Sequence, residues 1–255
     1  RVSVASDGTQ ANNVSDWPSI SDNGRYIAFV SSANNLVAGD TNMSSDVFLH
    51  DIWTGNTTRV SVDSNGVQGD SHSEWLDLSA NGRYVAFSSR ASNLVNDDTN
   101  GVYDIFVHDV QAGITERVSI NSNGAQQEIY GAIGFPSISA DGRYVTFESN
   151  ASNLVNDDTN GNQDIFMHDT QTGGTIRVSI AYDGMQGNSF SEWPHISGDG
   201  RYVVFLSAAS NLVSGDTNGT NDVFVRDMQT NNTTRISVAS DGTEGNGNSD
   251  TSQTT

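Results

Sequence analysis

The sequence has no cysteine and no lysine, and only three of its 255 residues are proline. Without cysteine, neither a disulfide framework nor a thiolate metal site can form. No apolar run reaches the ~20 residues that a membrane-spanning helix needs, so we expect no membrane insertion. The chain starts at Arg1 without a basic and apolar leader, from which we expect either a removed signal peptide or an excised part of a longer protein.

Positive charge is also scarce. The sequence has 11 arginines against 31 acidic residues, and its formal net charge is −20. Such a chain does not neutralise a phosphate backbone, so nucleic acid is excluded as a partner, and anionic membrane surfaces repel the chain. The excess of acidic residues favours solubility in an extracellular, cell-surface or periplasmic setting, or the binding of cations.

What the sequence does contain is an internal repeat. The motif Arg-[Val/Ile]-Ser-[Val/Ile] recurs with spacings of 58, 58, 60 and 58 residues, at Arg1, Arg59, Arg117, Arg177 and Arg235. These copies divide a single domain, 1–255, into repeats of about 1–58, 59–116, 117–176 and 177–234, with a partial repeat at 235–255. The third repeat has two extra residues near 128–135. A period of this length accommodates four short strands and their turns.

Each repeat predicts four β-strands, and the second repeat shows the pattern. Its strands are predicted at 75–79, 83–88, 104–109 and 116–120. Asn81-Gly82 gives a tight turn between the first two. The second and third strands are apolar on both faces, whereas the fourth alternates, with Val118 and Ile120 on its apolar face. The inner strands are therefore expected to be buried on both faces and the outermost strand on one face only. This difference predicts an all-β fold, a β-propeller of four-stranded blades that is either complete or part of a larger ring. A β-sandwich is the alternative, but it does not require a near-identical unit.

One motif connects the repeats to a known family. Ser-x-[Asp/Asn]-Gly-Arg-Tyr-[Ile/Val]-x-Phe-x-Ser occurs in all four repeats, beginning at Ser21, Ser79, Ser139 and Ser197. Pro-Ser-Ile precedes it at Pro18 and Pro136. The pattern resembles the TolB-type, WD-repeat-like propeller repeat of bacterial envelope and secreted proteins. The resemblance implies the propeller fold, but no single activity, because its members include periplasmic translocation components and propellers attached to peptidases.

An acidic loop leads into the third strand of every repeat. In the second repeat, Asp98, Asn100 and Asp104 stand at loop positions 1, 3 and 7. Calcium takes about six to eight oxygen ligands from carboxylates, amides and carbonyls, so the pattern predicts a calcium site in each loop. The predicted ligands are Asp40, Asn42, Asp46, Asp98, Asn100, Asp104, Asp158, Asn160, Asp164, Asp216, Asn218 and Asp222. The alternative is structural: the first two residues form Asx-turns, and the second Asp caps backbone amides of the strand.

A His-Asp pair follows the third strand in three repeats, beginning at His50, His108 and His168. The fourth repeat has Arg226-Asp227 in its place. Because the position accepts arginine, we interpret the pair as a structural hydrogen bond and not as a catalytic dyad.

Aromatic residues recur on the first strand of each repeat, at Trp17, Trp75, Phe135 and Trp193. We expect them to pack between blades. The alternative is a platform facing the channel on which sugar rings stack.

The sequence has no nucleophile elbow, phosphate loop or zinc-type histidine cluster. Four equivalent loops offer repetition, whereas catalysis usually needs an asymmetric site. We therefore expect a non-catalytic, calcium-stabilised propeller that is secreted or exposed on the cell surface and binds protein or glycan at its long-loop rim. A carbohydrate-active enzyme, or a carbohydrate-binding accessory module, is the alternative function.

The fifth copy of the Arg-containing motif leaves one outer strand in surplus, because the other three strands occur four times. Three arrangements are open: a four-bladed ring with a spare strand, a segment of a larger propeller, or a subunit whose spare strand pairs with a neighbouring chain. The third predicts self-association, which would give a filament if it continued head to tail.

Overall fold

A computed structural model of the protein describes residues 1–128 and 134–249. These residues form sixteen β-strands in four sheets of four strands each. The strands are β1 (Ser15–Ile20), β2 (Tyr26–Ser31), β3 (Asp46–Asp51), β4 (Asn56–Arg59), β5 (Ser73–Leu78), β6 (Tyr84–Ser89), β7 (Asp104–Asp109), β8 (Ile114–Arg117), β9 (Ser137–Ile138), β10 (Tyr144–Ser149), β11 (Asp164–Asp169), β12 (Gly174–Arg177), β13 (Ser191–Ile196), β14 (Tyr202–Ser207), β15 (Asp222–Asp227) and β16 (Asn232–Arg235).

Each sheet is one blade: blade 1 is β1–β4, blade 2 is β5–β8, blade 3 is β9–β12 and blade 4 is β13–β16. Within a blade, the strands pair in chain order and every pair is antiparallel. The predicted all-β fold of four-stranded blades is confirmed. The two-residue insertion predicted near 128–135 lies mostly outside the described residues, as does the end of the partial repeat, 250–255. The described part of the chain has no helix that could cross a membrane.

The blades stack face to face, and their hydrophobic core lies in the layers between them. Phe87 and Phe106 of blade 2 are fully buried against Ala28 and Val47 of blade 1. Equivalent layers join blade 2 to blade 3 and blade 3 to blade 4. Burying one such aromatic side chain contributes roughly 1.5–3 kcal/mol, so these layers hold the repeats together. Leu94, from the long loop after β6, joins the first layer and anchors that loop.

A tyrosine and a glycine meet at every one of these layers. The ring of Tyr26 lies against Gly82, and the same pairing recurs between Tyr84 and Gly142 and between Tyr144 and Gly200. Each glycine has a positive φ in the tight turn before the second strand. Glycine is thus required there twice, for the left-handed backbone and for the close approach of the ring.

The arc of blades is open between blade 4 and blade 1. Tyr202 of blade 4 is 39% exposed, and a side chain on Gly24 of blade 1 would meet nothing within 4 Å. Ile20 of blade 1 is 61% exposed, whereas the equivalent Leu78 and Ile138 are 6% and 5% exposed. The structure therefore contradicts the first of the three arrangements, a closed four-bladed ring.

The outer strand is shorter than the sequence predicts, and there is no spare strand among the described residues. In blade 2 the strand ends at Arg117, and the predicted alternation over 116–120 is wrong. Val118 and Ser119 are both buried, because the Val118 amide donates to the Ile105 carbonyl and the Ser119 hydroxyl turns inward to Asp104. The residues after Arg117 leave the sheet edge, and the equivalent residues at the N-terminus belong to none of the four sheets.

Candidate functional site

An aromatic residue with a left-handed backbone lies on the innermost strand of blades 1, 2 and 4, and just before that strand in blade 3. The φ angles are 51° at Trp17, 36° at Trp75, 51° at Phe135 and 59° at Trp193. In blades 1, 2 and 4 the pairing register shifts at this position, as in a β-bulge. A side chain other than glycine costs about 1–3 kcal/mol in such a conformation, and strain of this kind concentrates at functional sites. All four blades accept this strain at the same position.

The strained backbone brings the four rings together at the centre of the arc. Phe135 stacks on Trp193 with 4.3 Å between ring centroids, and its centroid lies 5.3 Å from that of Trp75 and 6.1 Å from that of Trp17. The rings line a cavity of about 470 Å³. Trp17 is 49% exposed, so much of its ring is open to a ligand. The aromatic residues thus face the axis, as the alternative interpretation of the sequence proposed.

A layer of polar side chains follows the aromatic layer, one from each blade: Ser19, Asp77, Ser137 and His195, of which all but Ser137 line the cavity. The Asp77 carboxylate connects three blades, since it accepts hydrogen bonds from Ser19 Oγ at 3.2 Å and Ser137 Oγ at 3.1 Å. The backbone amides of Leu78 and Ile138 also donate to it, at 2.8 and 3.0 Å. Burial raises the pKa of Asp77. Its hydrogen bonds fix the inner strands relative to one another.

Glu148 makes the site asymmetric. It is the last residue but one of β10, where the other blades have Val30, Ser88 and Leu206. Its Oε2 accepts a hydrogen bond from the backbone amide of Trp193 at 2.8 Å. Burial raises the pKa of Glu148 to about 7, and the charge of Glu192 adds to this. Glu148 therefore holds one of the strained aromatic residues in place and titrates close to neutral pH.

Sequence reasoning missed Glu148 and the left-handed backbone. Glu148 could have been found from the sequence, because the other three repeats have an apolar or small residue at the position where the third has a carboxylate. The backbone conformation had no such signal, since each aromatic residue fits an ordinary strand pattern.

The acidic loops are closed by the arginine that begins the next copy of the repeat motif. In blade 2, Arg117 Nη1 lies 3.3 Å from Asp98 Oδ1 and 3.6 Å from Asp104 Oδ2. Asn100 Nδ2 donates to Asp104 Oδ2 at 2.9 Å, and Ser119 Oγ donates to Asp104 Oδ1 at 2.5 Å. Burial and the charge of Asp104 raise the pKa of Asp98 to about 6. A guanidinium therefore lies beside both of the carboxylates that the sequence predicts as calcium ligands in this loop.

The other loops repeat this arrangement. In each of them an arginine lies within 4 Å of both carboxylates: Arg59 with Asp40 and Asp46, Arg177 with Asp158 and Asp164, and Arg235 with Asp216 and Asp222. The amides of Asn42, Asn160 and Asn218 donate to the second carboxylate of their loops. Across the described ranges, no three His, Asp or Glu side chains are grouped so as to hold a metal ion. Calcium binding stays a prediction.

The His-Asp pairs are structural in the three blades that have them. In blade 2, His108 Nδ1 and Thr115 Oγ1 share a hydrogen bond at 2.8 Å, and Asp109 accepts two hydrogen bonds from Arg83. Those bonds lower the pKa of Asp109. In blade 4, Arg226 Nη1 donates to Thr233 Oγ1 at 2.9 Å and replaces the imidazole. Arginine can occupy this position because it makes the same hydrogen bond to threonine that histidine makes in the other blades.

These observations define a β-propeller with an aromatic axial site, and comparison with solved structures identifies the type of repeat. TolB from Acinetobacter baumannii superposes with a TM-score of 0.52 at 18% identity, over 88% of this chain and 43% of TolB. The chain has the TolB-type propeller-repeat fold. A prolyl endopeptidase gives a TM-score of 0.55 at 16% identity, over 88% of this chain and 29% of that chain.

An oligogalacturonate lyase in complex with manganese gives a TM-score of 0.53 at 12% identity, over 90% of this chain and 55% of that chain. The present chain therefore spans about half or less of the length of these three structures. Its sequence matches no protein-family model and no curated protein.

The expectation that the chain is not an enzyme is wrong. It rested on the equivalence of the four repeats, but two of these structures with the same fold are a prolyl endopeptidase and an oligogalacturonate lyase. A repeated scaffold acquires asymmetry at single positions, as Glu148 illustrates in blade 3.

Proposed function

We propose that the protein binds carbohydrate in the aromatic axial cavity. The observation that carries the proposal is the set of four aromatic residues, all in a left-handed conformation, that converge on this one cavity. Interblade packing does not by itself call for this strain, because the phenylalanine layers already fill the space between blades. A strained residue repeated in every blade needs a further role.

The chemistry of the cavity fits a sugar ring. Tryptophan offers a broad apolar face to the C–H groups of a sugar, and the polar layer offers hydroxyl, carboxylate and imidazole groups nearby. The cavity volume of about 470 Å³ lies in the ~300–1,000 Å³ range of small-molecule sites. Trp17, which is half-exposed, is the ring most accessible to an incoming ligand.

The negative charge of the protein restricts which glycans can bind in the cavity. The net charge of −20 repels polyuronates and sulfated glycans, which favours neutral or amino sugars. An ammonium group on an amino sugar would also be attracted to the faces of the indole rings. The fold itself is compatible with a carbohydrate ligand, as the oligogalacturonate lyase illustrates. Glycans of this kind are consistent with the extracellular, cell-surface or periplasmic location that we expect from the composition.

A glycan array tests the proposal. We expect the wild-type protein to bind one or more neutral or amino-sugar glycans and the Trp17→Ala variant to lose that signal. An array on which the wild-type protein binds no glycan, or on which both proteins bind alike, contradicts the proposal.

A further inference from the structure

Two of the aromatic residues of the axial cavity, Phe135 and Trp193, share one carboxyl group as a neighbour, and we call these two residues the stacked pair. Glu148 Oε2 accepts the hydrogen bond from the Trp193 amide. Its Oε1 lies beside the residue that precedes Phe135, because a Cβ atom on Gly134 would be 3.4 Å from that oxygen. The ring of Trp75 lies 3.8 Å from the same Cβ position. Glu148 is therefore packed against the backbone that carries both rings of the stacked pair.

The other blades have no polar contact of this kind at the equivalent position. Blade 1 has Val30 and blade 4 has Leu206 there, and neither side chain can accept a hydrogen bond. Blade 2 has Ser88, whose Oγ is buried without a hydrogen-bond partner. Among the described residues, only the longer side chain of Glu148 reaches from this position to the aromatic residue of the following blade.

The surroundings of Glu148 disfavour a negative charge. Glu148 is 8% exposed, and burial together with the charge of Glu192 raises its pKa. The Trp193 amide and the side chain of Gln163 act in the opposite direction by hydrogen bonding, but more weakly than burial. The other titratable groups around these rings are Asp77 and His195 in the polar layer, and Glu74, Arg90 and Tyr103 beside Trp75.

Ionisation of Glu148 favours any movement that admits water to its carboxyl group. A carboxylate that stays buried without a cation costs several kcal/mol, and contact with water relieves this cost. The backbone at Gly134 and at Trp193 covers the group, so water reaches it only when one of these segments moves. The rings of the stacked pair move with that backbone.

We propose that Glu148 is a positioning residue that links the binding of a neutral glycan in the axial cavity to the uptake of a proton. With the carboxyl group protonated, the stacked pair keeps its 4.3 Å contact, and a sugar ring stacks on it. With the group ionised, the pair leaves this arrangement and the sugar loses part of its binding surface. This inference rests on the proposed function, because it assigns a regulation to the same cavity.

The link also selects between the two classes of glycan. A neutral sugar binds best to the protonated form, so its affinity falls as the pH rises. The ammonium group of an amino sugar is attracted to the ionised form instead. The protonated form offers that ammonium group no negative charge at Glu148, which favours neutral glycans as the ligands.

NMR spectroscopy tests the link in the absence of a glycan. The Trp193 amide donates directly to Glu148, so we expect its resonance to shift with a midpoint near the pKa of about 7. Because the rings move with the backbone, the indole N–H resonances of Trp75 and Trp193 follow the same titration. Trp53 is 71% exposed and lies outside the cavity, so its indole resonance is a control in the same spectrum and does not follow that titration.

Two variants separate Glu148 from the groups around it. Glu148→Gln keeps an acceptor for the Trp193 amide but cannot ionise, so we expect the three resonances to stay constant near neutral pH. Glu192→Gln removes the neighbouring charge, so we expect the same titration with a lower midpoint. Asp77 and His195 are present in both variants. A shift that persists in Glu148→Gln therefore belongs to other groups and overturns the proposal, as does a wild type in which the three resonances do not titrate.

Calorimetric titration with cello-, xylo-, manno- and chito-oligosaccharides measures the link to binding. These probes are neutral, so any dependence of their affinity on pH arises in the protein. We expect the wild type to bind at least one of them about fivefold or more tightly at about pH 6 than at about pH 8, the lower end of typical coupling between linked sites. The affinity of Glu148→Gln stays the same at both.

The outcomes distinguish this inference from the proposed function. Wild-type binding that is equally tight at both pH values overturns the link to the proton and leaves the carbohydrate site intact. If no oligosaccharide binds at either pH, both the carbohydrate site and the link are overturned.

Discussion

The ring of Tyr84 occupies the place that a side chain on Gly142 would need: a Cβ atom there would lie 2.1 Å from Tyr84 Cδ2. This contact joins blade 2 to blade 3, and the tyrosines of blades 1 and 3 make the same contact with the next blade. Blades can pack this closely because each turn carries glycine. The relationship therefore links a residue of the repeat motif to the stacking of the whole molecule.

We expect Gly142→Ala to destabilise the fold more than Gly24→Ala. Both glycines have positive φ, 79° and 68°, so both variants carry the left-handed cost of about 1–2 kcal/mol. Only Gly142 faces a ring, and overpacking adds about 1–3 kcal/mol. Urea unfolding of the two variants measures the difference. Equal destabilisation would show that the tyrosine contact contributes nothing.

The closure of the acidic loops by arginine predicts a large effect of Arg117→Met. The substitution leaves Asp98 and Asp104 buried without their cation, and removing one partner of a buried ion pair costs about 3–5 kcal/mol. Arg90→Met is the matched control, because Arg90 is exposed. The free energies of unfolding from urea titrations compare the two. If Arg117→Met is no more destabilising than Arg90→Met, the guanidinium does not close the loop.

The same geometry bears on the calcium hypothesis. If calcium occupies the predicted sites beside the guanidinium that lies near both carboxylates, chelation with EDTA lowers the Tm of the wild-type protein. If the guanidinium is the sole cation of each loop, the Tm stays unchanged. If calcium does bind, a ~100-fold excess over Kd would add about 2.7 kcal/mol per site. A Tm that falls on chelation and recovers with added calcium would support the calcium hypothesis.

Stability should rise as the pH is lowered from 8 to 5. Glu148 has a folded pKa of about 7, against an ordinary value of 4.5, so the folded state binds a proton that the unfolded state does not. Its stabilising contribution is complete below pH 4.5, is lost as the pH rises through 7, and amounts to about 3 kcal/mol at most. Asp98 and Asp164, with a pKa of about 6, act in the same direction.

Glu148→Gln removes the largest of these contributions, so we expect a flatter dependence of stability on pH and a more stable protein at pH 8. Glu116→Gln is the control, because Glu116 is exposed on the outer strand. Thermal unfolding at several pH values measures both. A Glu148→Gln profile that parallels the wild type would show that Glu148 does not titrate in this range.

The fold was predictable from the sequence because one motif recurs at a nearly constant spacing, and that spacing has room for four strands. The acidic loops were recognised, but their partner was not. Arg117 stands 13 residues after Asp104, and only the return of the chain along the outer strand brings the two together. The opening of the arc between blade 4 and blade 1 was not predictable either, because it depends on the angle between blades and not on the residues within one blade.

The axial site was predicted only in outline. The recurrence of Trp75 and its equivalents was visible, but the choice between interblade packing and a channel-facing platform rests on one backbone angle. In an ordinary strand conformation these side chains would point out of the sheet face, into the layers between blades. The bulge turns these side chains towards the axis instead. The neighbouring residue types do not predict a bulge.

The most direct test of the proposed function compares two tryptophans of this chain. Trp17 lies in the axial cavity, whereas Trp53 lies outside it, is 71% exposed and stacks on Arg25. Both are accessible, so replacing either one by alanine leaves the buried core intact.

Calorimetric titration of the wild type, Trp17→Ala and Trp53→Ala proteins with cello-, xylo-, manno- and chito-oligosaccharides is that measurement. We predict that at least one of these ligands binds the wild type and the Trp53→Ala protein equally. We predict that Trp17→Ala weakens the same interaction roughly tenfold or more, since a lost stacking contact is worth ~1.4 kcal/mol or above. No binding by the wild type, or equal binding by the Trp17→Ala protein, would contradict a carbohydrate site in the axial cavity.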